Sequence, residues 1–204
     1  MRCAELETFS DSRYGVSFNL PKGWTATPQE LADGRKLVVA SDPQDESANV
    51  FVAFTPIRPD YSSLGSFGTI DYMAATIIPQ CGAYGECRFA NGDAIEGRML
   101  ESAAKGSTYV RHVTARPWPR WLLLLLLPGV RVSSGARARL CPGRQVYDYT
   151  IEQSRGPKRH LRSLFAIKSD GAASILIGLT TQCLESRYAE LGPTYKAIIS
   201  SFKS

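Results

Sequence analysis

Apolar residues alternate with small or polar ones along several stretches of this chain. Residues 14–21 read YGVSFNLP, with Tyr14, Val16, Phe18 and Leu20 on one side. That period of two predicts a strand with one buried face. Pro21-Lys22-Gly23 then turns the chain, and Trp24 follows. A second strand, RKLVVAS at 35–41, is predicted after the turn at Asp33-Gly34. DPQDES at 42–47 reads as a polar loop. ANVFVAFTPI at 48–57 is a third strand, with Val50, Val52 and Phe54 on one face and Pro56 expected to end its pairing. The period then changes. Ile70, Met73, Ala74 and Ile77 fall at helical spacing, with Ser66 or Thr69 as cap and Pro79 as stop.

Strand patterning returns at 95–101, at 146–153 (VYDYTIEQ), at 159–168 (RHLRSLFAIK) and at 174–181 (SILIGLTT). Asp170-Gly171 between the last two is a hairpin signal, and SILIGLTT is expected to be central. From Glu185 a helical stripe runs through Tyr188, Leu191, Tyr195, Ile198, Ile199 and Phe202, with a break expected at Gly192-Pro193. Three strands, a helix, four strands and a helix, joined mostly by short turns, predict an α+β fold. Its antiparallel sheet would have helices on its faces.

Residues 110–145 do not fit this pattern. They hold seven arginines, four prolines, Trp118, Trp121 and six consecutive leucines, and no Lys, Asp or Glu. Removing them joins STY to VYDYTIEQ, so that Tyr109, Tyr147, Tyr149 and Ile151 form one face of a single strand. The expected organisation is therefore one domain made of 1–109 and 146–204, interrupted by an irregular insertion at 110–145. A coding argument agrees. Val-Arg can be read from GTGAG, and Gln then Val from CAG followed by GT. Thirty-six codons keep the frame. The segment has the composition of a translated, retained intron from a GC-rich genome. The alternative is an Arg/Trp arm for a membrane surface or for nucleic acid. The segment shows no helical period to support it.

Charge follows from the same segment. The formal charge of the chain is +5, from 24 basic and 19 acidic residues. Without the seven arginines, 17 basic residues face 19 acidic ones, a net of −2. The rest of the chain gives no reason to expect a nucleic-acid partner. The longest apolar run, residues 121–127, is far short of the ~20 residues of a membrane-spanning helix. The first fifteen residues carry no leader pattern.

Candidate chemistry is sparse. His112 lies in the odd segment, which leaves His160. No HExxH, paired CxxC, Walker or GxGxxG pattern is present. Lys158, Arg159, His160 and Arg162 form a basic cluster. It reads either as a solvated strand edge or as a docking patch for an acidic partner. Asp42, Asp45 and Glu46 could bind a hard cation such as calcium, although their spacing is not that of an EF-hand. Cys81 and Cys87 frame CGAYGEC, either as a disulfide ring or as two free thiols. No catalytic residues are assigned, and a non-enzymatic binding or assembly module is the expected class.

Three stretches together resemble a known family. YGVSFNLPKGW at 14–24 resembles the N-terminal signature of the PsbP family, the extrinsic oxygen-evolving enhancers of photosystem II. ANVFVAFTPI with its asparagine, and the last strand followed by YKAIISSFKS, match the family's order. The resemblance implies an α/β/α sandwich around an antiparallel sheet of about six strands, a shape shared with Mog1 proteins. It implies a lumenal, non-enzymatic accessory protein of the chloroplast thylakoid. Such a protein would lie peripheral to the membrane, with photosystem II or a related photosynthetic complex as partner and a link to calcium. The lumen is reached through a two-part leader, which is not seen here. A lumenal home would favour a Cys81–Cys87 disulfide. The chain departs from PsbP proper in its short N-terminal arm, its fewer surface lysines and its CGAYGEC loop, so a PsbP-domain relative is the closer expectation. Two alternatives remain: a Mog1-like module for a small GTPase, and a hydrolase using His160.

Overall fold

The structure, a computed structural model, describes residues 5–78, 87–88, 94–105, 110–111, 143–153, 155–169 and 173–204. Eleven strands and two helices are defined among them. In chain order they are β1 (Leu6–Asp11), β2 (Val16–Pro21), β3 (Ala26–Glu30), β4 (Lys36–Asp42), β5 (Asp45–Ile57), α1 (Ile70–Ile77), β6 (Cys87–Arg88), β7 (Ala94–Lys105), β8 (Val110–Arg111), β9 (Arg144–Gln153), β10 (Arg159–Ser169), β11 (Ser174–Leu184) and α2 (Tyr188–Ser201). β1 and β2 pair as a separate hairpin. The other nine strands form one sheet in the order β3-β4-β5-β11-β10-β9-β7-β6, with β8 also on β7. All the strand pairs described are antiparallel. The α+β expectation holds, and the sheet is wider than the six strands anticipated.

Two cores lie on opposite faces of this sheet. On one face, Val50, Val52 and Phe54 of β5, Ile177 and Leu179 of β11, and Leu164 of β10 are buried with β2 and α2. Val16, Phe18 and Leu20 supply the β2 layer, and Tyr195, Ile198, Ile199 and Phe202 supply the α2 stripe. On the other face, Met73 and Ala74 of α1 cover Tyr147, Tyr149 and Leu161. Each fully buried side chain of this size contributes about 1.5–3 kcal/mol of transfer free energy. The two layers thus hold the sheet from both sides, as in an α/β/α sandwich.

Local chemistry explains the helix ends. The Thr69 hydroxyl accepts a hydrogen bond from the Tyr72 N–H at 3.2 Å and caps α1. α2 has no side-chain N-cap and is preceded by a short 3₁₀ turn at Glu185–Arg187. It runs unbroken through Pro193, where a break was expected. Burial of Tyr195, Ile198 and Ile199 in one core outweighs the single hydrogen bond that proline removes. The C-terminus is sewn to the hairpin. Ser17 and Lys203 exchange backbone hydrogen bonds at 2.9 and 2.8 Å. The Ser201 hydroxyl accepts from the Asn19 N–H at 2.8 Å.

Four strands lie where none was expected. β3 contains Pro28 and is almost wholly exposed, so it lacks a buried alternating face; it sits at the edge of the sheet, where proline is tolerated. β1 buries only Asp11, and β6 and β8 are two residues each. Pro56 does not end all pairing of β5. Pairing with β4 stops at Phe54, but pairing with β11 continues to Ile57.

The sheet also reaches into both ends of the 110–145 segment. Val110 and Arg111 form β8 on β7, across that strand from β9, so they do not lie in line with Tyr147. β9 starts at Arg144, opposite Lys105. Gln145 is buried and accepts a hydrogen bond from the Tyr147 hydroxyl. Arg144 donates to the Phe202 carbonyl at 2.8 Å. Tyr149 and Tyr147 pair in the sheet, while Tyr109, Pro79, Cys81 and Asp170-Gly171 lie outside the described residues.

Candidate functional site

The period of two along β10 sends His160, Arg162, Leu164 and Ala166 to the α2 face of the sheet. The same period along β9 sends Val146, Asp148 and Thr150 there. Arg162 and Asp148 are direct cross-strand partners. The chain leaves β11 at Leu184 and turns, with the Glu185 N–H donating to the Lys158 carbonyl at 2.9 Å. That bond brings Glu185, and then Tyr188 at the start of α2, over the ends of β9 and β10.

The outcome is a buried polar cluster. His160 donates from Nδ1 to Glu185 Oε2 at 2.8 Å, and its Nε2 meets Asp148 Oδ1. Arg162 Nη1 donates to Asp148 Oδ2, and the Tyr188 hydroxyl donates to the same oxygen at 2.9 Å. The imidazole and the Tyr188 ring stack with their planes 7° apart. His160 is 3% exposed and Asp148 7%, whereas the Glu185 side chain is 41% exposed. Both ring nitrogens face carboxylate oxygens, and Asp148 also pairs with the Arg162 guanidinium, so the buried charges are partnered. Among the described residues, one buried side-chain polar atom, Arg162 Nε, has no hydrogen-bond partner.

Electrostatics follow the contacts. Burial pushes the Asp148 carboxyl up. The His160 bond and charge, the Arg162 charge and the Tyr188 hydroxyl together outweigh that and hold it below the usual carboxylate range. Burial, with the Asp148 charge beside it, pushes the Tyr188 phenol up to about 12. Cys183 stands opposite His160 in the register of β11 and is fully buried. Burial pushes its thiol up to about 11, so it is held as a thiol, not as a thiolate nucleophile. His160 has both nitrogens held by carboxylates and none facing a hydroxyl or thiol. This geometry does not provide the general base that the hydrolase alternative requires.

The residues expected to form sites are placed as follows. Lys158, Arg159, His160 and Arg162 do not make one basic patch. Lys158 is exposed and Arg159 half-buried, while His160 and Arg162 point into the core and are engaged by Asp148. Nor do they lie on an edge, because β10 pairs with both β9 and β11. Asp42, Asp45 and Glu46 do not converge as a ligand set. Asp42 accepts from the Gln44 N–H at 2.9 Å. Asp45 holds Ser47 through one oxygen and the Arg187 guanidinium through the other. Those bonds, with burial opposing them, leave Asp45 below its ordinary value. A guanidinium beside it disfavours a cation. Among the described residues no three His, Cys, Asp or Glu side chains gather as a metal set. These residues therefore do not fit calcium. For the CGAYGEC loop, Cys81 and the Cys87 side chain fall outside the described residues.

Sequence reasoning missed Asp148, Glu185 and Tyr188. The signal available was Asp148 itself, sharing its strand face with Val146 in a strand next to a central one.

An antiparallel sheet packed between α1 on one face and α2 with the β1–β2 hairpin on the other defines the fold class. Part of the chain is similar to PsbP proteins. Residues 4–92 match the family model described as PsbP. The fold is that of cyanobacterial PsbP (CyanoP) from Synechocystis sp. PCC 6803, with a TM-score of 0.61 and 17% identity; the match covers 100% of this chain and 94% of that one. The chain is also similar to PsbP domain-containing protein 3, chloroplastic, from Arabidopsis thaliana. Identity there is 24% over 114 residues, 55% of this chain, and the match spans 44% of that relative's length. The Ran-binding protein Mog1p of Saccharomyces cerevisiae aligns with 9% identity and a TM-score of 0.46, over 98% of this chain and 96% of that one.

Proposed function

We propose that this protein is a non-enzymatic accessory subunit or assembly factor of a photosynthetic complex, photosystem II foremost, working in the thylakoid lumen of a chloroplast. The observation that carries the reading is the PsbP match over residues 4–92, joined to a fold shared with cyanobacterial PsbP. The similarity to a chloroplastic PsbP-domain protein supports the compartment. The cluster around His160 ties α2 to the sheet. Among the described residues no helix is long and apolar enough to cross a membrane, which agrees with a peripheral attachment. We read residues 110–145 as an insertion in this single domain.

The test is localisation and release. Thylakoids from the source organism are fractionated with an antibody to this protein. It should sediment with thylakoids, resist external protease until the membrane is opened, and wash off in high salt. Its depletion should lower the yield of assembled photosystem II. A native protein found only outside the chloroplast would overturn the proposal.

A further inference from the structure

A second feature lies away from the His160 cluster. The turn between β1 and β2 faces the end of the β10–β11 hairpin across a cleft of about 240 Å³. Its floor is apolar. The Tyr14 ring stacks on Phe54 at 4.3 Å, Ile177 is fully buried, and Ile175 is half-buried. Its rim is cationic, made by Arg13 and Lys168, with Ser12 beside them.

The cations are set in place by the turn. Lys168 Nζ donates to the Tyr14 carbonyl at 2.8 Å and lies 3.4 Å from the Gly15 carbonyl. Gly15 makes this approach possible. Its φ is +58°, and a Cβ there would lie 2.6 Å from the lysine nitrogen. An ammonium has three N–H donors, so one remains after both carbonyls are served. Carbonyls supply acceptors but no negative charge. No carboxylate bridges Lys168 among the described residues. Arg13 sits 5.2 Å from the Tyr14 ring centroid and, among the described residues, pairs only with Glu30, at 3.5 Å, with both side chains about 60% exposed. Such a pair is weak and exchangeable. Among the described residues, the rim thus holds two positive charges against one loosely held negative one.

We propose that this cleft binds an apolar carboxylate of about the size of one amino-acid residue. The carboxylate would take the free Lys168 N–H and the Arg13 fork, which matches its two oxygens. The apolar group would lie on Tyr14, Ile175 and Ile177. The volume falls below the roughly 300 Å³ at which sites for drug-sized ligands begin, which excludes a long acyl chain. The C-terminal residue of a polypeptide and a free small acid share this chemistry. The inference does not rest on the photosynthetic reading.

The experiment is an NMR titration of the ¹⁵N-labelled full chain with N-acetylphenylalanine, N-acetylphenylalaninamide, inorganic phosphate and a short peptide ending in free phenylalanine. The acid should give saturable shifts at Gly15 and Ile175. The amide, which lacks only the charge, should bind at least about tenfold more weakly. Phosphate should not saturate. Lys168→Met and Arg13→Ala should each weaken the acid about tenfold while the rest of the spectrum is unchanged. Arg13 is exposed, so its variant keeps the test valid if Lys168→Met loosens the hairpin. A peptide that binds as tightly as the acid identifies a polypeptide C-terminus as the source, and a peptide that fails while the acid binds identifies a free acid. Equal binding of acid and amide, no binding of the acid, tighter binding of phosphate, or an Arg13→Ala variant that binds the acid normally would overturn the proposal.

Discussion

Asp148 is the acceptor that makes the burial of His160 and Arg162 tolerable. It takes bonds from His160, Arg162 and Tyr188 at once. Replacing it with alanine leaves three donors without this partner, on buried His160 and on partly buried Arg162 and Tyr188. Asp148→Ala should cost about 3–5 kcal/mol in urea unfolding, the usual penalty for breaking a buried pair. An effect below about 1 kcal/mol would mean the cluster is not structural. The pH dependence has a defined sign. The folded carboxyl lies below its unfolded value of about 3.9, so its stabilisation is complete above about pH 4 and is lost as pH falls through the lowered value. Asp11, bonded to Lys36 at 2.6 Å and to the Tyr14 N–H, is lowered against the opposing effect of burial and acts in the same direction. Stability should therefore fall steeply below about pH 4, and Asp148→Asn should fall less steeply. Cys183 gives a third check. Being buried with its thiol pushed up to about 11, it should stay unmodified by iodoacetamide at pH 8 until the protein unfolds. Peptide mapping reads this site by site.

At the scale of elements, amphipathic stripes were legible and edges were not. The faces of β2, β5 and α2 lie where alternation and helical spacing put them, because each buries one continuous row of apolar side chains. β3 could not be seen, since an edge strand with Pro28 has neither the residues nor the burial that make a pattern. The break expected at Gly192-Pro193 failed for the opposite reason. Local propensity weighs about 3 kcal/mol against proline inside a helix, and four buried side chains of the α2 layer outweigh it. Pro193 is exposed and makes no helical hydrogen bond of its own. Pro193→Ala should therefore raise stability by about 1 kcal/mol or more, less the entropy that proline removes from the unfolded chain. Thermal and urea unfolding measure it, and a loss of stability would mean that the proline is built into the helix start.

For the molecule as a whole, stability is centred on the middle of the sheet. β5, β11 and β10 are paired on both edges and bury a common face under α2 and β2, while β3 lies at one edge of the sheet and β1 buries only Asp11. Amide exchange in Val52, Leu164 and Leu179 should require global unfolding, and exchange in β3 should be fastest among the strands. Equal protection across the sheet would contradict this. The sequence by itself determined the periods, and therefore which residues share a face, and which residues make the PsbP resemblance. These are short-range matters, set by backbone geometry and the transfer of apolar side chains from water. Only the tertiary structure decided what covers each face. The polar row Asp148, Thr150, His160 and Arg162 reads as solvent-facing along its strands. It became a buried, hydrogen-bonded cluster because α2 and Glu185, brought from the far end of the chain, close over it. Period fixes direction, but whether a charge meets water or a partner depends on residues distant in sequence.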